Sequence, residues 1–370
     1  MIRKSILFIL GMVMLASCSS KEGVKVSGEI KGAKNGTIYL MGETEEGELI
    51  VVDSVDMQKD GKFVLYAPQG DAKLYSVSFD RNVPSRSFFI EGVPVSINGV
   101  VDSLSSAEVV GGENQRLYSE LAVFLNDFKA KKSDLYIKIL THSAETGDKD
   151  SLAYYVSSYN KASRLETQYI TNFALVNGGY EVSPLVALTF LTVGAYSPIL
   201  DSIASRFSPS VSESTYGKEY IDFITRARKA QVGQKAAEWE VVKDSVRYNN
   251  ATYAGKNVFM VLWTDSSNAC YEYLFELKKI YEKWNKKGLE VVSVCMSDDK
   301  MAYEHDIFYL NMPWVDVMMP KSKNNPLVKS MALVGDYPIG VLIDKDGMIY
   351  ARYISPSDLE NIMKDFNKRK

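Results

Sequence analysis

The fold turns on the stretch Val258-Phe259-Met260-Val261-Leu262-Trp263-Thr264-Asp265-Ser266-Ser267-Asn268-Ala269-Cys270-Tyr271. An unbroken apolar run such as Val258 to Trp263 forms a strand only where both of its faces are covered, as inside a parallel sheet. Thr264 to Asn268 interrupt it. From Ala269 to Tyr281 apolar residues return at helical spacing, with Lys278 and Lys279 in the last turns, where cations complement the helix dipole. Leu289 to Val294, introduced by Gly288, reads as a second strand, so the unit is β-α-β. Downstream, Tyr337 to Asp344 and Met348 to Tyr353 flank the hairpin turn Lys345-Asp346-Gly347. Pro356 to Asn367 closes the chain as a helix.

Working towards the N-terminus, residues 113–230 lose strand alternation. Leu117, Leu121, Phe124 and Leu125 recur at helical spacing, Leu152 to Val176 lacks Pro and Gly, and Ser183-Pro184 and Ser208-Pro209 mark helix starts or breaks. This predicts a connecting module of three or four helices, whose tyrosines Tyr154, Tyr155, Tyr159 and Tyr169 either pack the helices together or form a partner surface. Residues 24–112 alternate apolar and polar in short runs punctuated by Lys34-Asn35-Gly36 and Lys59-Asp60-Gly61-Lys62, which predicts a small antiparallel, sandwich-like β domain. The fold class expected is therefore α+β multidomain: β domain, α-helical middle module, and a C-terminal α/β domain over 231–370.

The first residues carry an address. Arg3 and Lys4 precede an apolar run from Ile6 to Ala16, about half of the roughly 20 residues a spanning helix requires, which is the layout of a secretory signal. Leu15-Ala16-Ser17-Cys18 resembles the lipobox of bacterial lipoproteins. That likeness implies removal of residues 1–17, a lipid thioether on Cys18, and a short tether over 18–23 facing the periplasm. Ser19 after Cys18, rather than Asp, points to the outer membrane.

Composition narrows the classes. The 370 residues carry 43 basic and 46 acidic side chains, a formal charge of −3, which offers nucleic acid no electrostatic footprint. With His142, His305 and three cysteines spread far apart, no metal-ligand or haem-attachment spacing exists, and neither metal nor cofactor is expected. Membrane, through the lipid on Cys18, and a protein or peptide are the expected partners.

Two further resemblances are specific. Asp53-Ser54-Val55, Asp60-Gly61-Lys62-Phe63, Phe88-Phe89-Ile90-Glu91-Gly92 and Asn114 resemble an uncharacterised β domain that precedes thioredoxin-like domains in envelope lipoproteins of Gram-negative anaerobes. The order strand, Trp263, turn, helix, strand, then Tyr337-Pro338 before Leu342-Ile343-Asp344-Lys345-Asp346-Gly347, resembles the TlpA-type and AhpC/TSA-type thioredoxin-like domains of the bacterial envelope. Gly233 to Trp239 is similar to their lead-in. The resemblance implies thiol-disulfide chemistry, a cis Pro338 facing the redox motif, and a binding face of Trp263, Asn268, Tyr337 and Pro338.

Set on that family's Trp-x-x-x-Cys-x-x-Cys run, this chain reads Trp263, Ser267, Asn268, Ala269, Cys270, so the attacking cysteine is Ser267. A serine hydroxyl stays protonated near neutral pH without a base and forms no disulfide, which closes the two-cysteine cycle. The peroxidase branch is met by Ser267-Asn268-Ala269-Cys270, yet Trp263 stands where that branch has proline, and no arginine lies between Arg247 and Arg352. Three fates of Cys270 stay open: a buried packing residue, a monothiol redox centre, or a disulfide partner of Cys295. The expectation is a recognition module; the alternative is a redox protein using Cys270. Asp298-Asp299 is expected to be a solvated turn.

Overall fold

The computed structural model describes residues 22–33, 35–44, 47–145, 149–194, 196–322 and 324–368. Cys18, the signal segment and most of the tether lie outside these residues.

The N-terminal domain stacks two four-stranded sheets. One has the order β4-β1-β7-β8, with β1 Val24–Lys31, β4 Lys62–Ala67, β7 Val95–Val100 and β8 Glu108–Val110; the other has the order β3-β2-β5-β6, with β2 Thr37–Glu43, β3 Leu49–Asp56, β5 Lys73–Ser78 and β6 Arg86–Ile90. Alternation points Val26, Ile30, Phe63, Leu65 and Ile97 from the first sheet at Ile38, Leu40, Val77 and Phe88 from the second. Pairing is antiparallel with one exception. β7 runs parallel to β1, Val26 beside Val95, because the chain crosses back from the second sheet before entering it.

Phe88 and Phe89 are both fully buried, on opposite faces of β6 as a strand demands. Phe88 fills the sandwich, whereas Phe89 meets Leu117, Leu121, Ile170 and Phe173 of the helices. Asn114 joins the two modules: its amide nitrogen donates to Glu91 and Glu181 at 2.9 Å each, and its oxygen accepts the Val182 N–H at 2.8 Å.

Six helices, not three or four, make up the middle module among the described residues: α1 Glu113–Glu145, α2 Lys149–Val176, α3 Val182–Phe190, α4 Pro198–Ala204, α5 Pro209–Glu213 and α6 Thr215–Lys229. The extra pieces arise because Pro198 and Pro209 each restart the chain at a first helical turn, after Ser197 and Ser208. Of the tyrosines, Tyr169 stacks on Phe124 at 3.6 Å while Tyr154 is exposed. No helix among the described residues is long and apolar enough to cross a membrane.

In the C-terminal domain a hairpin, β9 Glu240–Lys243 and β10 Val246–Asn249, precedes a five-stranded sheet of order β13-β12-β11-β14-β15. β11 Asn257–Trp263, β12 Leu289–Met296 and β13 Val315–Met319 are parallel, and β14 Ile339–Ile343 and β15 Ile349–Arg352 turn back antiparallel. Val258, Met260 and Leu262 face α6 and the short helix α9, Pro326–Ser330. Phe259, Val261 and Trp263 face α7 Asn268–Trp284 and α10 Pro356–Lys368. The uninterrupted apolar run is thus explained by a strand covered on both sides. The remaining helix, α8 Lys300–Leu310, is capped by Asp299, whose carboxylate accepts the Met301 and Ala302 N–H groups. Asp298 accepts from Lys321 N–H at 3.2 Å. The acidic pair is therefore a helix start rather than a merely solvated turn.

The lead-in hydrogen-bonds along β15, with Gly233 N–H donating to Ile349 O at 2.8 Å and Ala236 N–H to Gly347 O at 2.9 Å. Partly buried Arg352 locks this domain to the helical module. Its guanidinium donates to Met331 O at 2.8 Å, Ala332 O at 2.9 Å and Ala230 O at the end of α6. Arg352→Ala should lower stability by about 2–4 kcal/mol, since three carbonyls lose a charged donor and the partly buried stem loses its packing. Urea unfolding measures this, and an unchanged midpoint contradicts it.

Candidate functional site

The loop after β11 ends where α7 begins, and Ser267 is the hinge between them. Its backbone is extended and its hydroxyl accepts the Cys270 N–H at 3.4 Å, a helix N-cap. Ser267 thus serves the helix as its cap. Ser266 holds φ at +54°, and its N–H donates to Asp306 Oδ2 at 3.0 Å. The Tyr271 hydroxyl donates to the same oxygen at 2.7 Å. Buried Asp306, on α8, therefore clamps the loop from the side. His305 is exposed, with Nδ1 beside Asp306 Oδ1 at 3.2 Å, and among the described residues no hydrogen bond links it to Ser267.

Cys270 is fully buried, and its sulfur accepts the Thr264 N–H at 3.4 Å. Cys295, beside Trp263 in the sheet register, is also fully buried, and its sulfur takes a hydrogen bond from the Asp265 backbone. Both cysteines are free thiols, sharing one loop through consecutive amides. Burial, followed by the charges of Asp316 and Asp265, pushes the Cys295 thiol far up, so it stays protonated and is a poor attacking group.

Tyr337-Pro338 is cis, and both residues are partly exposed. Next to it, Gly340 must be glycine: a Cβ there would lie 2.3 Å from the Tyr273 hydroxyl and 2.7 Å from Ile354 O. Asn268 is exposed at the start of α7. Trp263 is the exception to the expected face. It is fully buried, and its indole N–H donates to Asp316 Oδ2 at 2.9 Å. As the last residue of a doubly covered strand it points inward, and it supports the loop from below.

Asp316 is the residue that local reading missed. It sits among apolar neighbours on β13 and is 2% exposed. Beyond Trp263, its carboxylate accepts from the Ser293 hydroxyl and, at 2.8 Å, from the Tyr303 hydroxyl; Ser293 in turn accepts the Trp314 indole N–H at 2.8 Å. Burial raises its pKa from 3.8 to about 6, against the lowering effect of these three donors. Among the described residues no group of three or more His, Cys, Asp or Glu side chains is arranged to hold a metal.

The domain thus holds a parallel β-α-β unit with an N-capped helix, a cis Tyr337-Pro338 peptide and an antiparallel β14–β15 return, and residues 255–349 match the family described as thioredoxin-like. This segment is a thioredoxin-like domain. Residues 24–118 match a family described as a domain of unknown function, DUF4369. The thiol-disulfide oxidoreductase ResA of Geobacillus thermodenitrificans is 26% identical over 133 residues, 35% of this chain and 73% of that protein. The protein of the same name from Geobacillus kaustophilus is 26% identical over 134 residues, with the same shares covered. Among solved structures, the thioredoxin domain of a thiol-disulfide oxidoreductase from Bacteroides vulgatus is 22% identical and covers 36% of this chain and 96% of that one, with a TM-score of 0.34. The C-terminal domain of one from Bacteroides thetaiotaomicron is 20% identical and covers 37% and 99%, with a TM-score of 0.34. Within this thioredoxin-like domain Ser267 caps α7, three residues before the buried Cys270.

Proposed function

We propose that this protein is a lipid-anchored envelope protein whose thioredoxin-like domain binds a protein or peptide and does not exchange disulfides. The observation that carries the reading is Ser267 capping α7 in front of a Cys270 with no exposed surface. Among the described residues no base hydrogen-bonds a hydroxyl in that role, and a sealed thiol reaches no substrate disulfide.

Recognition is supported by what surrounds the loop. Asn268 and Ala269 are exposed, and Tyr337, near enough to feel the charge of Cys270, and Pro338 are partly exposed. α8, fixed to the loop by Asp306, carries Met301, Phe308 and Tyr309 at 82%, 89% and 60% exposure, and Tyr309 continues onto Phe275 of α7 at 5.7 Å. Apolar surface of this extent beside a former reaction site is the ordinary mark of a partner interface. Attachment through Cys18, at the periplasmic side of the outer membrane, completes the reading.

Insulin reduction with excess dithiothreitol tests the first half: the mature protein should leave the rate at that of reductant alone, and catalysis sinks the proposal. For the anchor, metabolic labelling with palmitate should mark the wild type and be lost in Cys18→Ala. A labelled variant, or an unlabelled wild type, contradicts it.

A further inference from the structure

The β domain leaves a stretch of strand edge open. β3 is the outermost strand of its sheet and pairs with β2. In that ladder Leu49 stands opposite Glu43, Ile50 opposite Gly42 and Val51 opposite Met41. At the hairpin end the Thr44 N–H donates to Glu48 O at 2.9 Å. Hydrogen-bonded and non-bonded pairs alternate along an antiparallel ladder. With Thr44 and Glu48 bonded, the next bonded pair is Ile50 with Gly42, so Leu49 and Val51 turn their N–H and C=O groups away from β2.

A bulge at Val52, between the Val51–Met41 and Asp53–Leu40 pairs, ends this stretch. Past it β4 closes in, and the Asp53 carboxylate accepts the Tyr66 N–H at 2.9 Å. On the open stretch the side chains of Leu49, Ile50 and Val51 are all exposed. Strand edges are ordinarily guarded by lysine. Here the charge has the other sign: from Thr37 to Asp56 the chain carries six acids and no Lys, Arg or His. Exposed Glu43 and Glu48 flank the apolar triplet at one end, and Asp53 flanks it at the other.

We propose that this edge takes an extended strand of another protein, in which a short run of β-branched apolar residues is flanked on both sides by Lys or Arg. The backbone groups of Leu49 and Val51 pair with the incoming strand, and its apolar run covers Leu49, Ile50 and Val51. Its cations answer Glu43, Glu48 and Asp53. A second copy of β3 fits less well, because antiparallel self-pairing sets the Glu48 end of one copy against the Asp53 end of the other, acid against acid.

Fluorescence anisotropy with the full-length protein tests this, and its outcome is separate from that of the Ser267 face, which lies in the thioredoxin-like domain. The probe is fluorescein-labelled Lys-Lys-Val-Ile-Val-Lys-Lys. Saturable binding that weakens as salt is raised is expected. The acidic probe Glu-Glu-Val-Ile-Val-Glu-Glu should bind at least ~10-fold more weakly. So should the basic probe N-methylated at its three central amides, which keeps its charge but cannot donate to a strand. Val51→Lys should weaken the basic probe at least ~10-fold, whereas Val51→Thr, which keeps the branched shape, should stay within ~2-fold, both with unchanged thermal unfolding. Absence of saturable binding, equal binding of the acidic or methylated probe, or full binding by Val51→Lys would overturn the proposal. A dimer in sedimentation that Val51→Lys dissolves would overturn it too, since a second copy would then occupy the edge.

Discussion

Asp316→Ala should cost about 4 kcal/mol of stability at pH 4, one of the largest single-residue effects in the thioredoxin-like domain, and much less at pH 7.5. Alanine orphans the buried donors of Trp263 and Ser293, each worth roughly 1–3 kcal/mol when left unpaired, and the half-buried hydroxyl of Tyr303. The pH dependence follows from the raised pKa. An acid at 3.8 when unfolded and about 6 when folded contributes its full stability below the lower value and loses it as pH rises through the upper one. That interval corresponds to roughly 3 kcal/mol, so the penalty of the substitution should shrink by about that amount between pH 4 and pH 7.5. Asp316→Asn, which keeps shape and one acceptor, should show the same narrowing with a smaller cost. Urea unfolding of wild type and variants at the two pH values decides it, because every other carboxylate is shared and cancels in the difference. A penalty that is flat or grows with pH contradicts the buried-acid account.

Ser267→Cys should create an activity. A cysteine at the N-cap of α7 has a thiol exposed at a helix N-terminus, where the thiolate is favoured, and Cys270 stands three residues on to resolve the mixed disulfide. The other parts are in place: the cis Tyr337-Pro338 peptide, the loop clamped by Asp306, and a doubly covered β11. The variant should form an internal disulfide between the introduced thiol and Cys270, and accelerate insulin reduction by on the order of 100-fold over the wild type. An inactive variant that folds normally and whose two thiols do not pair would mean that the loop, and not only the residue at its hinge, has been rebuilt against exchange.

These expectations separate what could be read along the chain from what could not. The β-α-β unit was legible because burial on both faces writes itself as an unbroken apolar run, and the turns at Gly61 and Gly347 because each requires positive φ. Ser267 stood out in the sequence by its place in the loop, but its role as a helix cap needed the Cys270 N–H in view. Trp263 was misplaced because a residue preceding a redox loop looks like part of its rim; only the partner 53 residues away shows it turned inward. Asp316 did leave a local trace, an acid inside the apolar strand Val315-Asp316-Val317, which signals a buried, satisfied carboxylate. The clamp at Asp306 left none, since a helical Asp beside His305 is indistinguishable from a solvated one until the loop is packed against it. In the middle module, helix count failed where proline restarts short helices within one apolar segment.

Alkylation mapped by mass spectrometry tests the central claim most directly, that the former reaction site holds no accessible nucleophile. Iodoacetamide at pH 7.5 should leave Cys270 and Cys295 unmodified in the folded protein and modify both after denaturation. Rapid, stoichiometric modification of Cys270 in the folded state would contradict the account and return the domain to thiol chemistry.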